Sequence, residues 1–289
     1  MVMNTKDTAD NWDLVIKPKT KWYQLDLAAI WSYRDLLMLF VRRDFVSVYK
    51  QTLLGPLWYI IQPVLTTLTF TVIFSGIAKI STNGIPPVLF YLSGITLWTY
   101  FSDCLNRTSN TFISNSGIFG KVYFPRLVAP LSVLVSNLIK LGIQMVLFLT
   151  IWCYYLIKGA SLAPHYYMLI FIPLLVIIMA GLGLGFGILI SSLTTKYRDL
   201  TFLVGFGTQL AMYASPIIYP LSSIHNIRYR HILMLNPVTS IIETFKYIFL
   251  GNGILSWHAL LYSVVFMVLL LLAAVVVFNK VEKSFMDTV

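Results

Sequence analysis

Long apolar stretches alternate with short polar segments along this chain. Six of them approach or exceed the ~20 residues that an α-helix needs to cross a lipid bilayer. They cover residues 57–78, 88–105, 127–157, 168–193, 200–219 and 257–278. Lys140 interrupts the third stretch, so we expect that stretch to begin as a helix outside the bilayer and only then to enter it. The pattern predicts an all-α integral membrane protein with six transmembrane helices within residues 53–280.

The pattern before the first span predicts an amphipathic helix over residues 27–52 that lies on the membrane surface. At about 100° per residue, apolar side chains share one arc of this helix and charged side chains share another. The apolar arc carries Ile30, Tyr33, Leu37, Phe40, Val41 and Val48, and the charged arc carries Asp35, Arg42, Arg43 and Lys50. Asp44 falls on the apolar arc. Such a helix binds an anionic inner leaflet, although its charges are also explained if they only set the topology.

Two connections between spans are longer than ordinary turns. The connection between the second and third spans begins with a Ser/Thr/Asn run and ends in Lys121, Pro125 and Arg126. The connection between the fifth and sixth spans contains a helix start at Asn236-Pro237 and a helix stop at Gly251. That helix is too short to cross a bilayer. We expect a re-entrant or outer-surface helix that packs on protein rather than on lipid.

The charged residues predict the orientation of the chain in the membrane. Of the 289 residues 58% are hydrophobic and 11% are charged, against about 25% charged in soluble domains. Six crossings place fifteen Lys and Arg on the side of the N-terminus and five on the other side. By the positive-inside rule, the tails at 1–26 and 281–289 are cytosolic. The net charge of +10 therefore predicts contact with membrane lipids and not with nucleic acid.

Several kinds of chemistry have no signature in this sequence. No Walker A loop and no paired-histidine zinc motif is present, so no catalytic residue, metal site or cofactor of its own is predicted. The glycines of Gly181–Gly187 lie inside an apolar span, where pairs of small residues allow helices to pack closely. Asp103 and Lys140 are the charges inside the spans, and the sequence offers neither an evident partner there. Ion-coupled transport is therefore poorly supported.

Four short motifs, in this order and spacing, carry a resemblance to a known family. They are YKQTLLGPLW with Gln62-Pro63, Phe124-Pro125-Arg126 with Pro130, Tyr197-Arg198-Asp199, and Asn236-Pro237 leading to Phe245-Lys246. From about residue 30 to residue 280 the chain resembles the permease subunit of ABC polysaccharide exporters, the Wzm, TarG and KpsM group. The resemblance implies a homodimer in the bacterial inner membrane that exports a lipid-linked polysaccharide, similar to O-antigen or teichoic acid. It also implies a separate cytosolic subunit that binds ATP and Mg²⁺.

The resemblance also implies roles for particular residues. The ATPase-coupling interface would comprise Arg42, Arg43, Asp44 and Lys50. The connection after the second span would form a cytosolic gate, where Lys121, Phe124 and Arg126 meet the lipid headgroup. The aromatic side chains that line the conduit would be Tyr59, Trp98 and Tyr213. The outer gate would contain Asn236, Pro237 and Phe245.

Three other functions are compatible with a six-span chain. A permease of the same architecture for a small lipid or a drug is the nearest alternative, and it requires an enclosed pocket instead of an open conduit. A membrane-embedded glycosyltransferase or polymerase is disfavoured because Asp199 and Glu243 lie on opposite sides and no carboxylate pair shares a loop. A structural scaffold accounts for the spans but not for the two long connections.

Overall fold

The computed structural model describes residues 27–50, 52–119, 121–122, 124–194, 197, 199–224 and 226–284. The predicted tail at 1–26 and residues 285–289 of the other predicted tail lie outside this part of the chain. Within the described ranges the backbone is helical nearly throughout and contains no β-strand. The all-α prediction is thereby confirmed.

The helices follow one another with short connections. In chain order they are α1 (Leu27–Ser32), α2 (Arg34–Tyr49), α3 (Trp58–Phe70), α4 (Pro87–Ser109), α5 (Thr111–Ser114), α6 (Ser116–Phe119), α7 (Val128–Ile157), α8 (Ile172–Thr194), α9 (Leu200–Tyr213), α10 (Ile227–Met234), α11 (Pro237–Leu250) and α12 (Trp257–Ser284). Short 3₁₀ segments lie at Gly55–Leu57, Tyr166–Phe171 and Leu221–Ser223, and a π-helical segment, Thr71–Ile77, extends α3.

Five helical runs in the described ranges are long and apolar enough to cross a membrane. They are Gly55–Ile77, Pro87–Ser109, Val128–Ile157, Tyr166–Thr194 and Trp257–Lys280. Each overlaps one of the predicted spans. The third is one continuous helix that contains Lys140 in its middle, and α2 precedes the first as a separate helix.

The fifth predicted span differs in length from the expectation. The helix there, α9, has 14 residues and ends at Tyr213, before the predicted boundary at residue 219. Pro216 explains the early end, because a proline lacks the amide hydrogen and disfavours helical backbone at the preceding Ser215. At 1.5 Å per residue, α9 alone is about 21 Å long, which is shorter than the ~30 Å hydrocarbon core.

One end of the helix bundle, which we call the Arg43 end, joins α2 to the connection after α4. The Arg43 guanidinium donates to the side-chain oxygen of Asn115 at 3.0 Å. The hydroxyl of Thr194, the last residue of α8, donates to the Ser109 carbonyl at 2.9 Å. The second half of α2, the end of α4 and the end of α8 therefore meet at the same end of the bundle.

The opposite end, which we call the Asn83 end, joins three further connections. The side-chain amide of Asn83 donates to the Ser222 hydroxyl at 2.6 Å. The backbone carbonyl of Asn83 accepts from the side-chain amide of Asn252 at 3.0 Å. The connection between the first two long runs therefore touches the segment after α9 and the segment after α11. The chain passes from the Arg43 end at Thr194 to the Asn83 end at Ser222 by way of α9.

The helix predicted between the last two spans is α11, and both of its predicted ends are confirmed. The Asn236 side chain accepts from the Val238 N–H at 3.1 Å, and Pro237 occupies the first helical position. Gly251 ends the helix with φ of 70°, a left-handed conformation that glycine adopts without steric cost. Nearly every side chain of α11 is buried against other helices, as expected for a re-entrant helix packed on protein.

The end of α11 is closed by side chains and backbone from elsewhere. The last four carbonyls of an α-helix have no partner in the regular helical pattern. Here the carbonyls of residues 247–250 accept, in that order, from the Gly251 N–H (3.2 Å), the His165 N–H (2.9 Å), the Trp152 indole (2.8 Å) and the Ala163 N–H (3.4 Å). No acceptor in this last turn depends on water.

Glycines let α8 approach two neighbouring helices closely, as the sequence predicts. They lie on two faces, with Gly183 and Gly187 toward α4 and Gly181 and Gly185 toward α12. A Cβ added at Gly187 would lie 2.5 Å from the Cβ of Thr108, closer than real Cβ atoms come. Because the glycines have no side chain, the backbones of α4 and α8 pack directly against each other.

Gly187→Ala tests this packing. We expect it to lower the free energy of unfolding by about 1–3 kcal/mol, the usual cost of adding a methyl group to a closely packed interior. Gly205→Ala is the matched control, because nothing lies within 4 Å of its added Cβ and alanine favours the helix. Denaturation of the purified chain in detergent measures both variants. Equal stability of the two would contradict the close approach of α4 and α8.

Candidate functional site

At the Arg43 end, α2 contacts the connection after α4 through a charged pair. The Arg43 guanidinium donates to Asp44 Oδ1 from two nitrogens, at 3.0 and 2.8 Å, and to Asn115 with a third. It also lies over the Phe40 ring, 4.8 Å from the centroid. Two predicted coupling residues are therefore brought together, and Asn115, which the sequence analysis did not select, fixes them to α5 and α6.

The other two predicted coupling residues remain at the surface. Arg42 and Lys50 are exposed, and neither side chain forms a hydrogen bond or ion pair with another residue of the described ranges. Their charges are available to a partner molecule. Arg34, on the same helix, is exposed, and its Nε lies 4.0 Å from Asp35 Oδ1.

Five phenylalanines link α2 to the connection and to α12. We call them the aromatic cluster: Phe40, Phe112, Phe119, Phe124 and Phe278. Phe124 contacts Phe40 with ring centroids 5.8 Å apart and stacks on Phe119 at 5.4 Å. Phe112 contacts Phe119 at 5.7 Å and Phe278 at 5.5 Å. The cluster therefore connects α2, the connection and α12 through a continuous series of packed rings.

The three predicted headgroup residues occupy different environments. Phe124 is 5% exposed inside the aromatic cluster, so its ring contacts other aromatic rings. Lys121 is exposed and Arg126 is partly exposed. The two cations therefore lie where a ligand can reach them, whereas the aromatic side chain between them has a packing role.

A polar cleft of about 540 Å³ opens beside Arg43. It lies between α2, the last turn of α4, the short α5 and the start of α7. Its charged lining groups are Arg43, Asp44 and Arg107, and Asn106 and Asn110 also face it. The residues that line the cleft belong to separate helices, so no single sequence motif predicts it.

Asp103 and Lys140 form an ion pair between α4 and α7. On α4, Asp103 precedes Arg107 by about one turn. Lys140 Nζ lies 2.6 Å from Asp103 Oδ2 and 5.6 Å from the centroid of the Tyr59 ring. The expectation that neither charge has a partner inside the spans is therefore wrong. Sequence could not pair them, because the position of Lys140 relative to Asp103 follows only from how α7 packs on α4.

Pro63 creates a further contact between α3 and α7. A proline inside a helix cannot donate to the carbonyl four residues earlier, which here belongs to Tyr59. The Gln144 amide of α7 donates to that carbonyl at 3.4 Å. Together with Lys140 over the Tyr59 ring, this contact fixes the start of the first span to α7. The proline was a signal in the sequence, but it did not identify the donor.

The predicted conduit aromatic side chains do not lie together in one subunit. Tyr59 is partly buried against α7, and Trp98 is 5% exposed and packs on Phe101 with centroids 5.3 Å apart. Trp98 faces an apolar cavity of about 330 Å³ that Pro237 also lines. Tyr213, near the end of α9, is 47% exposed. Only Tyr213 of the three presents a ring freely at the surface.

The predicted outer-gate residues lie at and inside α11. Asn236 caps the helix and also donates to the Ser215 hydroxyl at 3.0 Å, which connects α11 to the segment after α9. Phe245 is fully buried and contacts Phe148 with ring centroids 5.3 Å apart. Pro237 is buried at the start of the helix.

Lys246, which the sequence analysis named in a motif without assigning it a role, adds a second connection. Its side chain is fully buried, donates to the Pro216 carbonyl at 2.5 Å and lies 3.6 Å from the centroid of the Phe90 ring. Asn236 and Lys246 thus hold α11 to the non-helical segment after α9 at two points. A buried lysine is stable only where acceptors and an aromatic face replace its water.

The part of the chain that the structure describes contains no cluster of potential metal ligands. There, no three His, Cys, Asp or Glu side chains lie close enough to share an ion. Cys104 is buried and Cys153 is exposed, and both are free thiols.

Comparison with known proteins gives a consistent result. Residues 35–250 match the ABC-2 type transporter family. The O-antigen export system permease protein RfbA of Myxococcus xanthus is 26% identical over 261 residues, which cover 90% of this chain and 97% of that protein. The protein of the same name from Klebsiella pneumoniae is 28% identical over 88% of this chain and 94% of its own. The polysialic acid transport protein KpsM of Escherichia coli is 24% identical over 85% and 93%.

The Tyr59 carbonyl gives a test by double substitution. Gln144→Leu leaves that carbonyl without a donor, so we expect the free energy of unfolding to fall by about 1–3 kcal/mol. Pro63→Ala restores the amide hydrogen that the helix itself can donate. In the Pro63→Ala background, Gln144→Leu should therefore cost less, and denaturation of all four proteins in detergent measures the difference.

Gln209→Leu is the control for this cycle, because Gln209 is exposed on α9 and its side chain forms no hydrogen bond to another described residue. We expect it to leave stability unchanged. If Gln144→Leu has the same effect with and without Pro63, the contact to the Tyr59 carbonyl contributes nothing.

Proposed function

We propose, because this chain belongs to the ABC-2 type transporter family, that it is the transmembrane subunit of an ABC transporter that exports a lipid-linked polysaccharide across the bacterial inner membrane. The observation that carries this proposal is its similarity to O-antigen export permeases over nearly the whole length of both chains. The cargo is a glycan similar to O-antigen or teichoic acid. A separate ATPase subunit binds ATP and Mg²⁺ and drives the transport.

The subunit crosses the membrane six times in this proposal, with α9 in the fifth crossing. Two contacts support it: Thr194 before α9 bonds Ser109 at the Arg43 end, and Ser222 after α9 bonds Asn83 at the other end. The 14 residues of α9 and the segment after it together cover that distance. The Arg43 end and both termini are then cytosolic, and α11 enters and leaves from the outer side as part of the outer gate.

The ATPase docks on the face of α2 that carries Arg42 and Lys50, next to the Arg43–Asp44 pair. Exposed charge on Arg42 and Lys50 offers a surface complementary to an acidic partner, and Arg43 is already oriented by Asn115. The aromatic cluster gives movement of α2 a direct route to the connection after α4 and to α12. We assign Phe124 to that route.

Lys121 and Arg126 act at the cytosolic gate. Both are accessible cations on the connection between α6 and α7, at the membrane end where the phosphates of a lipid-linked substrate arrive. Phosphates form strong, charge-assisted hydrogen bonds with such side chains. We propose that they guide the headgroup past the gate before the glycan enters the conduit.

Two subunits form the conduit, with α3 and α9 facing its axis. Gln62 and Gln209 are exposed, about one turn after the start of α3 and about two and a half turns after the start of α9, respectively. An amide exposed to lipid is costly, whereas an amide facing a second subunit or a hydrated path is not. Tyr213 lies on the same helix as Gln209, which supports its predicted role at the conduit surface.

Charge reversal tests the coupling surface. Arg43→Glu replaces the donor to Asn115 with a carboxylate, so we expect the stimulation of the partner ATPase to fall by about tenfold or more. Arg34→Glu is the matched control on the same helix, because the exposed Arg34 forms no hydrogen bond or ion pair with a described residue of the connection after α4. ATP hydrolysis by the purified complex measures both. Equal stimulation in the two variants would remove Arg43 from the coupling surface.

Export of the glycan tests the function itself. Cells that lack this chain should accumulate lipid-linked glycan on the cytosolic face, and the wild-type gene should restore surface glycan. Lys121→Gln combined with Arg126→Gln should abolish that restoration while the protein still reaches the membrane. Lys158→Gln, at the Asn83 end, should restore export fully. Normal export by the double variant would contradict the gate assignment, and normal export without the chain would contradict the proposed function.

A further inference from the structure

The polar cleft beside Arg43 carries an unbalanced positive charge. Three charged side chains line it, and two of them, Arg43 and Asp44, neutralise each other through two short hydrogen bonds. The third side chain, the Arg107 guanidinium, forms no hydrogen bond or ion pair with any residue that the structure describes, although the backbone carbonyl of Arg107 accepts from Thr111. The nearby Asp103 carboxylate cannot balance it, because Lys140 already takes that charge at 2.6 Å.

The cleft also has many unused hydrogen-bond donors. A guanidinium offers five N–H groups, and in Arg107 none of the five is bonded to a described residue. Arg43 uses three of its own on Asp44 and Asn115, which fixes its plane and leaves two free. The Asn110 amide likewise has no side-chain partner in the described ranges. The cleft therefore has more hydrogen-bond donors and more positive charge than its own residues use. An anion with many acceptor oxygens requires such an arrangement.

The position of the cleft favours a lipid phosphate over a segment of another protein. Arg107 lies in the last turn of a membrane-spanning helix, two residues before α4 ends. Asp103, which forms an ion pair with Lys140, precedes Arg107 by about one helical turn on α4. Phosphates of membrane lipids lie at this level, and the planar fork of arginine binds them at two points. The C-terminal dipole of α4 favours any cation at this position, but it occupies none of the donors.

We propose that this cleft binds the diphosphate of a membrane-anchored lipid, with Arg107 as its principal cation and Arg43 and Asn110 as further donors. The inference rests on the proposed function for the identity of the lipid, which is the carrier of the exported glycan. Its volume, about 540 Å³, exceeds what a single phosphate needs and accommodates a diphosphate with its first sugar.

The cleft gives the carrier a role in coupling. A diphosphate bonded to both Arg43 and Arg107 joins α2, which faces the ATPase, to the second span. Movement of α2 then reaches α4 most directly when the carrier is in place. Lys121 and Arg126 lie further along the connection and receive the headgroup afterwards.

Binding of farnesyl diphosphate to the full-length chain tests the cleft. The chain is placed in nanodiscs of zwitterionic lipid, so that no other lipid anion competes. We expect Arg107→Gln to weaken binding by about tenfold or more, because a hydrogen bond between a guanidinium and a phosphate is charge-assisted on both sides. Arg107→Lys should retain part of the affinity, and Lys158→Gln should retain all of it. Unchanged binding in Arg107→Gln would overturn the proposal.

Two competitors identify the source of the phosphate. Inorganic pyrophosphate should bind far more weakly than farnesyl diphosphate, and phosphatidylglycerol added to the nanodiscs should displace little of the probe. Equal binding of pyrophosphate would make the cleft a site for soluble anions. Full displacement by phosphatidylglycerol would make it a site for ordinary anionic lipid. Either result overturns the assignment to a diphosphate carrier.

A photoreactive farnesyl diphosphate analogue gives a measurement that needs no variant. Cross-linked to the wild-type chain, it should label peptides that contain residues 106–115, and labelling confined to other segments would overturn the proposal even if Arg107→Gln does not fold. If the probe labels the cleft but surface glycan is normal in cells without the chain, the proposed function is wrong, whereas the assignment of the cleft as a diphosphate site stands. If export depends on the chain and the probe does not bind, only the cleft fails.

Discussion

The structure depends on one constraint, which is that backbone carbonyls inside a bilayer must find donors within the protein. At three places where the backbone is irregular, a side chain from another helix supplies the donor. Gln144 reaches the carbonyl that Pro63 releases, Lys246 reaches the Pro216 carbonyl, and Trp152 closes the end of α11. Water in a soluble protein meets the same need, but the hydrocarbon core offers none. Each irregularity of the backbone is therefore also a contact between two helices.

These contacts differ between the centre of the helix bundle and its two ends. The centre is held by α4, α8 and α11, where glycines and buried side chains bring the helices together. At the Arg43 end, short helices and polar groups surround a cleft, and the aromatic cluster links them to α12. At the Asn83 end, asparagine and serine side chains join the connections. A membrane protein that passes a large polar cargo needs this combination, because its ends must open while the packing between its helices stays intact.

The pairing of charges shows how packing changes the meaning of single residues. Asp103 and Lys140 look like isolated charges in two apolar stretches, yet in the folded chain they neutralise each other. Arg43 and Arg107 look equivalent as basic residues near a membrane. The first is bonded to Asp44 and Asn115, whereas the second has no partner among the described residues and lines the cleft. Only the neighbours of each side chain distinguish a structural arginine from one that is free to bind a ligand.

The sequence alone determined where the membrane helices lie and how α11 begins and ends. Apolar length, the Asn236-Pro237 start and the Gly251 stop depend on local chemistry and on the thickness of a bilayer, so they can be read along the chain. The close packing of α8 could also be predicted from the sequence, because small residues spaced one turn apart allow helices to approach closely in lipid. The tertiary structure alone decided the Asp103–Lys140 pair, the Gln144 contact and the aromatic cluster. Each of these joins residues that are distant in sequence, and the depth and rotation of a helix are set by the helices packed around it.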